Sequence, residues 1–320
     1  MTIVILDGYA ANPGDLSWDA LRSCGELTVY DRTPAELIVP RIGSAEVVFT
    51  NKTPLTRQTI ENCPALRMIG VLATGYNIVD AEAARERGIP VCNVPAYSTQ
   101  SVAQHTLALL LEVCSQVGAH DAAVHRGDWQ NCPDFSFTAA PLTELAGKTV
   151  GIIGYGRIGK AFGAICQALG MRLLVTTRIS KNGSDNDNIT YVNLSELLAL
   201  SDIVSLHCPQ TAQTTGMINA AAIAAMKPGA ILLNTARGGL IDEQAVADAL
   251  RSGKLRAYAA DVVAKEPIQP DDPLRSAPNC VLTPHIAWAF PEARSRLLSV
   301  TEQNLKAFCE GRPINVVNGV

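Results

Sequence analysis

Short aliphatic and β-branched runs recur through the first hundred positions, separated by stretches with helical spacing. Residues 3–6, 27–30, 47–50, 67–71 and 90–93 read as strands, and 78–87 as a helix closed by Gly88. This alternation predicts a parallel sheet covered by helices. Residues 98–118 follow, apolar on nearly every side, and read as a buried helix ~30 Å long, suited to spanning two domains. From Gly147 the rhythm restarts, with strands expected at 149–153, 172–176, 203–206, 230–234, 257–260 and 281–283. The 293–310 stretch has amphipathic helical spacing and would return to the first block. Two segments break the pattern. Residues 182–188 read as a polar loop. Residues 121–145 carry Trp129, Pro133, Phe135 and Phe137, and read either as a dimerisation arm or as a plain surface loop.

The expected fold class is therefore α/β, with two parallel-sheet blocks joined by the long helix. A chain of 320 residues has room for two cores of this kind. Its 48% hydrophobic and 18% charged residues exclude a disordered or fibrous protein. Twenty-six basic and thirty acidic residues give a net charge of -4 without a Lys/Arg run, so no nucleic-acid partner is expected. The nine cysteines have no paired spacing, which argues against a metal site and for reduced thiols in a cytoplasmic protein. The N-terminus lacks a basic region ahead of its short apolar run, and Glu112 interrupts the apolar 107–117 stretch. Neither a signal peptide nor a membrane partner is expected.

Chemistry enters with Gly154-Tyr155-Gly156-Arg157-Ile158-Gly159, which follows a β-run and opens a helix. That context gives the glycines their meaning: a tight turn, close backbone approach to a pyrophosphate, and a helix N-terminus facing it. The next strand should end in an acid that bonds the adenosine ribose. Here Thr177-Arg178 stands instead. A neutral Thr177 does not repel a 2′-phosphate and Arg178 can grip one, so NADP(H) is the expected cofactor. NAD(H) is the alternative, with Arg178 stacked on adenine or in solvent. Backbone at His207-Cys208-Pro209 is expected to line the adenosine side.

Three further segments end expected strands, where an open parallel sheet places its ligand: Asn234-Thr235-Ala236-Arg237-Gly238-Gly239, Asp261-Val262-Val263-Ala264-Lys265-Glu266-Pro267 and Thr283-Pro284-His285-Ile286-Ala287-Trp288. They supply an Arg, a Glu and a His, a sensible kit for reducing a 2-keto acid. With Val71-Leu72-Ala73-Thr74-Gly75-Tyr76-Asn77 and Ser101-Val102-Ala103-Gln104-His105, these runs make nearly the whole chain resemble the D-isomer-specific 2-hydroxyacid dehydrogenases. His285-Ile286-Ala287-Trp288-Ala289 and Thr50-Asn51-Lys52-Thr53-Pro54 resemble the glycerate dehydrogenase/hydroxypyruvate (glyoxylate) reductase branch.

The resemblance implies two Rossmann-like, doubly wound parallel-sheet domains with a cleft between them: a discontinuous substrate domain at 1–98 and 287–320 and a dinucleotide domain at 99–286. It makes Arg237 the group that binds the substrate carboxylate, a bidentate contact that Lys could not copy. His285 becomes general acid in reduction and base in oxidation, titrating near working pH. Glu266 would bond the far imidazole nitrogen and hold the ring protonated until hydride arrives. Thr235, Ala236 and Asp261 are expected at the cofactor, with Asp261 supporting the nicotinamide pocket. Lys52 and the backbone of Ala73, Thr74 and Gly75 are expected at the substrate. Trp288 reads either as a core aromatic or as the pocket edge against a small, polar C3 group. Gly238-Gly239 beside Arg237 is expected to permit close ligand approach, and His105, His120, His125 and His207 are taken as structural.

The expected reaction is reduction of hydroxypyruvate to D-glycerate or glyoxylate to glycolate, in a homodimer whose Trp129 reaches the neighbouring subunit's site. The alternatives are a dehydrogenase for a bulkier keto acid and a non-catalytic dinucleotide-sensing corepressor or scaffold.

Overall fold

The computed structural model describes residues 1–177 and 189–320, and the backbone of 184–186. The chain divides into two compact units, Met1–Ser98 with Trp288–Val320, and Thr99–Ala287.

In the first unit, β1 (Thr2–Ile5), β2 (Glu26–Val29), β3 (Val47–Thr50), β4 (Met68–Val71) and β5 (Val91–Cys92) form one sheet in the order β2-β1-β3-β4-β5. Every pair is parallel, with Ile3 beside Val47 and Thr50 beside Val71. β3 and β4 are buried on both faces, which explains why, Thr50 apart, they carry no polar side chain. The helix expected at 78–87 spans Ala81–Glu86, because the Asp80 side chain accepts from the Ala83 N–H and starts it later. The Pro291–Cys309 helix belongs to this unit and buries Ala293, Leu297 and Leu305 in its core. Arg294 forms a two-pronged bond to Asp15, at 2.7 and 2.6 Å.

The second unit contains β6 (Thr149–Ile153), β7 (Arg172–Thr176), β8 (Ser184–Asn186), β9 (Ile189–Tyr191), β10 (Ile203–Leu206), β11 (Ala230–Asn234), β12 (Leu255–Ala260) and β13 (Cys280–Leu282). Their order is β13-β12-β11-β10-β6-β7-β9-β8. All neighbours are parallel except β8, which runs against β9. The order reverses between β6 and β10, the place where a doubly wound sheet opens a ligand crevice at its carboxyl ends.

Two expectations are corrected here. The 182–188 segment is not wholly loop, since Ser184–Asn186 pairs with the three-residue β9. The long helix is grouped within the second unit and covers Thr99–Ser115, packed on the helix Arg157–Ala168 and on β11 and β12. It stops where Gln116 takes φ 51°, and a separate helix, Val117–His125, begins. Among the described residues no single helix is long and apolar enough to cross a membrane, and no three His, Cys, Asp or Glu side chains group to hold a metal ion.

Candidate active site

At the end of β6, Gly154 takes φ 95°, in the left-handed region that glycine occupies without strain. A side chain there would also come within 2.6 Å of the Cys208 backbone nitrogen and 2.7 Å of the His207 carbonyl carbon, so the loop after β10 lies directly against this turn. Gly156 differs. It precedes the Arg157–Ala168 helix in extended backbone, with no side chain capping the first turn, and a Cβ there would meet nothing within 4 Å. The space beside this uncapped first turn is open, a cradle that a side chain would fill and that fits an anionic pyrophosphate. Arg157 is exposed, Ile158 half-buried and Gly159 buried.

Thr177 follows β7 and is half-buried, whereas Arg178 lies outside the described residues. The His207 ring turns into the protein, 2.9 Å from Ser205 Oγ and 5.4 Å from the Phe162 ring, and burial pushes its pKa down to about 4. Its backbone, not its imidazole, is what meets the glycine turn. Pro209 is exposed.

The other three strand-end segments converge in the second unit. After β11, the Asn234 side chain ties the loop together, donating to the Arg237 carbonyl (2.9 Å) and accepting from the Ala236 N–H (3.1 Å). Thr235 Oγ1 lies 2.8 Å from Thr106 Oγ1 on the long helix. This leaves the Arg237 guanidinium exposed, with one bond to the neighbouring Ala236 carbonyl. The role expected of Gly238-Gly239 changes here. A Cβ on Gly238 would meet the Val263 carbonyl carbon at 1.9 Å, and one on Gly239 would meet Gln210 at 2.4 Å. These glycines admit protein backbone and a glutamine side chain, and so press the Arg237 loop onto the segment that carries Glu266.

Glu266 Oε2 lies 2.6 Å from His285 Nδ1, and both side chains remain partly open to solvent. A ring whose Nδ1–H donates to a carboxylate leaves Nε2 available for a substrate. Glu243 accepts from the Ala264 N–H at 2.7 Å, and burial pushes its carboxyl above the ordinary range. His285 has φ 56°, unusual for a residue with a side chain. Asp261, 1% exposed, accepts from Thr283 Oγ1 (2.6 Å) and from the N–H groups of Ile286 and Ala287 (2.8 Å each). His105, taken from sequence as structural, has Nε2 2.9 Å from Thr283 Oγ1 and 3.5 Å from Asp261 Oδ1.

In the first unit, Lys52 has an exposed side chain on a loop that sequence reasoning left without an anchor. The anchor is Asp7, which accepts from the N–H groups of Asn51, Lys52 and Thr53 at 2.6–2.7 Å. The Asp7 position at the end of a short apolar run was the available signal. The Ala73-Thr74-Gly75 loop is held by Thr74 Oγ1 donating to the Val94 carbonyl (2.8 Å) and Asn93 Nδ2 donating to the Thr74 carbonyl (2.7 Å). Trp288 is partly buried against that unit's own core.

Residues 107–287 match the family model described as "D-isomer specific 2-hydroxyacid dehydrogenase, NAD binding domain". The chain is 53% identical to a hydroxypyruvate reductase of Blautia hydrogenotrophica, over 99% of this chain and 100% of that protein. It is 39% identical to a glycerate dehydrogenase of Methylorubrum extorquens, over 89% of each. Among solved structures it is similar to an acyclic imino acid reductase in complex with NADPH and D-Arg. That match has TM-score 0.86 and 30% identity, covering 99% of this chain and 100% of that one. Sequence, fold and dinucleotide turn agree, and the chain belongs to the D-isomer-specific 2-hydroxyacid dehydrogenase family.

Proposed function

We propose that this protein reduces hydroxypyruvate to D-glycerate, and glyoxylate to glycolate, by stereospecific hydride transfer. The observation that carries the reading is the 2.6 Å contact of His285 Nδ1 with Glu266 Oε2, on a segment pressed against the Arg237 loop. Relatives named for hydroxypyruvate and glycerate chemistry support the substrate class. When bound at the Gly154–Gly159 turn, the nicotinamide dinucleotide supplies the hydride. Arg237 binds the substrate carboxylate through paired N–H donors and draws charge toward the ketone. His285 Nε2 gives its proton to the carbonyl oxygen as that oxygen gains negative charge, leaving a hydroxyl group. Glu266 keeps the ring oriented and offsets its positive charge before the transfer. In oxidation the same nitrogen takes the proton back. Thr235, Ala236 and Asp261 are proposed to face the cofactor, and Lys52, Ala73, Thr74, Gly75 and Trp288 to be substrate contacts.

NADP(H) is the preferred cofactor in this proposal, because neutral Thr177 stands where a carboxylate would repel a 2′-phosphate. The proposed assembly is a homodimer, supported by the 52% exposed Trp129 and 91% exposed Phe135 on the 121–145 segment. A monomer by light scattering with full activity would end that part.

The experiment is the initial rate with hydroxypyruvate and with glyoxylate, each against NADPH and NADH, in wild type and His285→Gln. The expected result is fastest turnover of hydroxypyruvate with NADPH, and loss of turnover in the variant with cofactor binding kept. Better use of NADH would overturn the phosphate-binding reading alone. Turnover only with bulkier 2-keto acids would overturn the substrate assignment.

A further inference from the structure

The sheet of the first unit ends at β5, and an edge strand leaves N–H and C=O groups for another segment to take. Here the chain's own C-terminal segment takes them. Val316 lies opposite Cys92 in antiparallel sense, the Val317 N–H donates to the Val91 carbonyl at 2.9 Å, and the Asn93 N–H donates to the Asn315 carbonyl at 3.1 Å. The Asn318 side chain completes the pairing, accepting from the Val91 N–H (3.0 Å) and donating to the Ile89 carbonyl (2.9 Å). Asn315 enters this register at φ 54°, a conformation that asparagine tolerates better than most residues with a side chain.

The pairing reaches beyond the strand. Asn93, 9% exposed, donates from Nδ2 to the Thr74 carbonyl at 2.7 Å, and its own carbonyl accepts from Nδ2 of Asn304, 2% exposed, at 2.9 Å. A carbonyl can only accept, so both amino groups are fixed in place. Asn304 is left with Oδ1 toward Asn315, whose Nδ2 donates to it at 2.8 Å. Three asparagines thus link the C-terminal segment to the Ala73-Thr74-Gly75 loop. In that loop the Val94 N–H holds the Ala73 carbonyl (3.0 Å) and Asn93 holds the Thr74 carbonyl, both from the side of β5. In a trans peptide the N–H of the next residue points the opposite way. The Thr74 and Gly75 N–H groups are therefore turned away from β5, and among the described residues neither has a hydrogen-bond partner. Successive backbone donors turned to one side can receive an anion such as a carboxylate.

We propose that Asn93 is a positioning residue for substrate binding, and that the C-terminal segment 315–318, acting through Asn315 and Asn304, sets the affinity of the site for the substrate carboxylate. This rests on the reading of the Thr74 and Gly75 backbone as a substrate contact. It goes beyond that reading, because control of the two donors lies in Asn93, 19 positions from Thr74, and in Asn304, 211 positions from Asn93.

The test compares Asn93→Ala, Asn93→Asp, Asn315→Gly and Gly75→Pro with wild type. The quantities measured are kcat and KM for hydroxypyruvate, the Ki of oxamate, the Kd of NADPH by fluorescence, and Tm. Oxamate is a keto-acid mimic that keeps the carboxylate and accepts no hydride. Alanine at 93 takes the donor from the Thr74 carbonyl and frees that peptide to rotate. The expected result is a rise of about tenfold in KM and in the oxamate Ki, the worth of one hydrogen bond. The kcat stays close to wild type, because the binding is lost equally from ground state and transition state. The Kd of NADPH is unchanged. Aspartate sets a carboxylate oxygen against the Thr74 carbonyl and raises both constants further. Asn315→Gly keeps the left-handed backbone, removes only the bond to Asn304, and raises them by about threefold. If Asn93→Asp does not fold, the alanine and glycine variants decide. A merely structural role would lower Tm and leave KM and the oxamate Ki at wild-type values, and that outcome overturns the proposal. So does a loss confined to kcat or to the Kd of NADPH. Raised constants in Asn93→Ala with wild-type ones in Asn315→Gly would overturn the role of the C-terminal segment. Gly75→Pro deletes one of the two donors itself. Wild-type KM and Ki there would instead remove the reading on which the proposal rests, whatever the Asn93 variants do.

Discussion

Gly238→Ala asks whether the close fit of two loops, and not their sequence alone, assembles the candidate site. The new methyl group would lie 1.9 Å from the Val263 carbonyl carbon, 2.1 Å from its oxygen and 2.3 Å from the Ala264 nitrogen. All three are backbone atoms and cannot rotate away. Ordinary contact begins near 3.4 Å, so the two segments must part by about 1.5 Å. Arg237 is attached to one segment and Glu266 lies three residues beyond Val263 on the other. A displacement of that size costs about 10²-fold in kcat/KM by misalignment. Overpacking of the buried loop costs about 2 kcal/mol, which for a unit of this size lowers Tm by roughly 4–8 °C. Calorimetry and initial rates with hydroxypyruvate measure both. A folded Gly238→Ala enzyme with wild-type kcat/KM would refute the argument, because the apposition of the two loops would then be irrelevant to catalysis.

Gly156→Ala is the counterpart, since its methyl group enters open space and its backbone is one that alanine accepts. It should weaken dinucleotide binding in a calorimetric titration while raising the Tm of the ligand-free protein slightly, by about 0.5 kcal/mol of unfolded-state entropy; unchanged Kd would remove the cradle assignment. Arg237→Lys keeps the charge but loses the planar fork, and should cost about 2 kcal/mol of transition-state binding, ~30-fold in kcat/KM for the keto acid. Wild-type values there would mean that the carboxylate is bound elsewhere. For His207, burial lowers the folded pKa from 6.5 to about 4, so the unfolded chain binds the extra proton between those values. Its contribution is intact above pH 6.5 and is lost as pH falls toward 4, up to about 3 kcal/mol. Urea unfolding at pH 7 and pH 5 should show wild type losing about 2 kcal/mol more than His207→Gln. Parallel losses would contradict a His207 ring held neutral by its surroundings.

The sequence alone determined the α/β class, the parallel sheets and the family. Strands buried on both faces must be written as nearly unbroken apolar runs, as at 47–49 and 150–153. A backbone turn against a phosphate must be written in glycine. These demands act within a few residues, so they are visible in a one-dimensional pattern. β9 directly follows the polar 182–188 run and did not register as a strand, and the stop at Gln116 depends on a single left-handed residue within an apolar run. What only the tertiary structure decided is which side chains hold the site loops. Asp7 bonds residues 44–46 positions away, Asp261 bonds residues 22–26 away, and His105 meets Thr283 across 178 positions. An aspartate after an apolar run looks the same whether it faces water or anchors a turn. The difference lies in which N–H groups the fold brings to its oxygens, and the fold sets that by packing distant segments together.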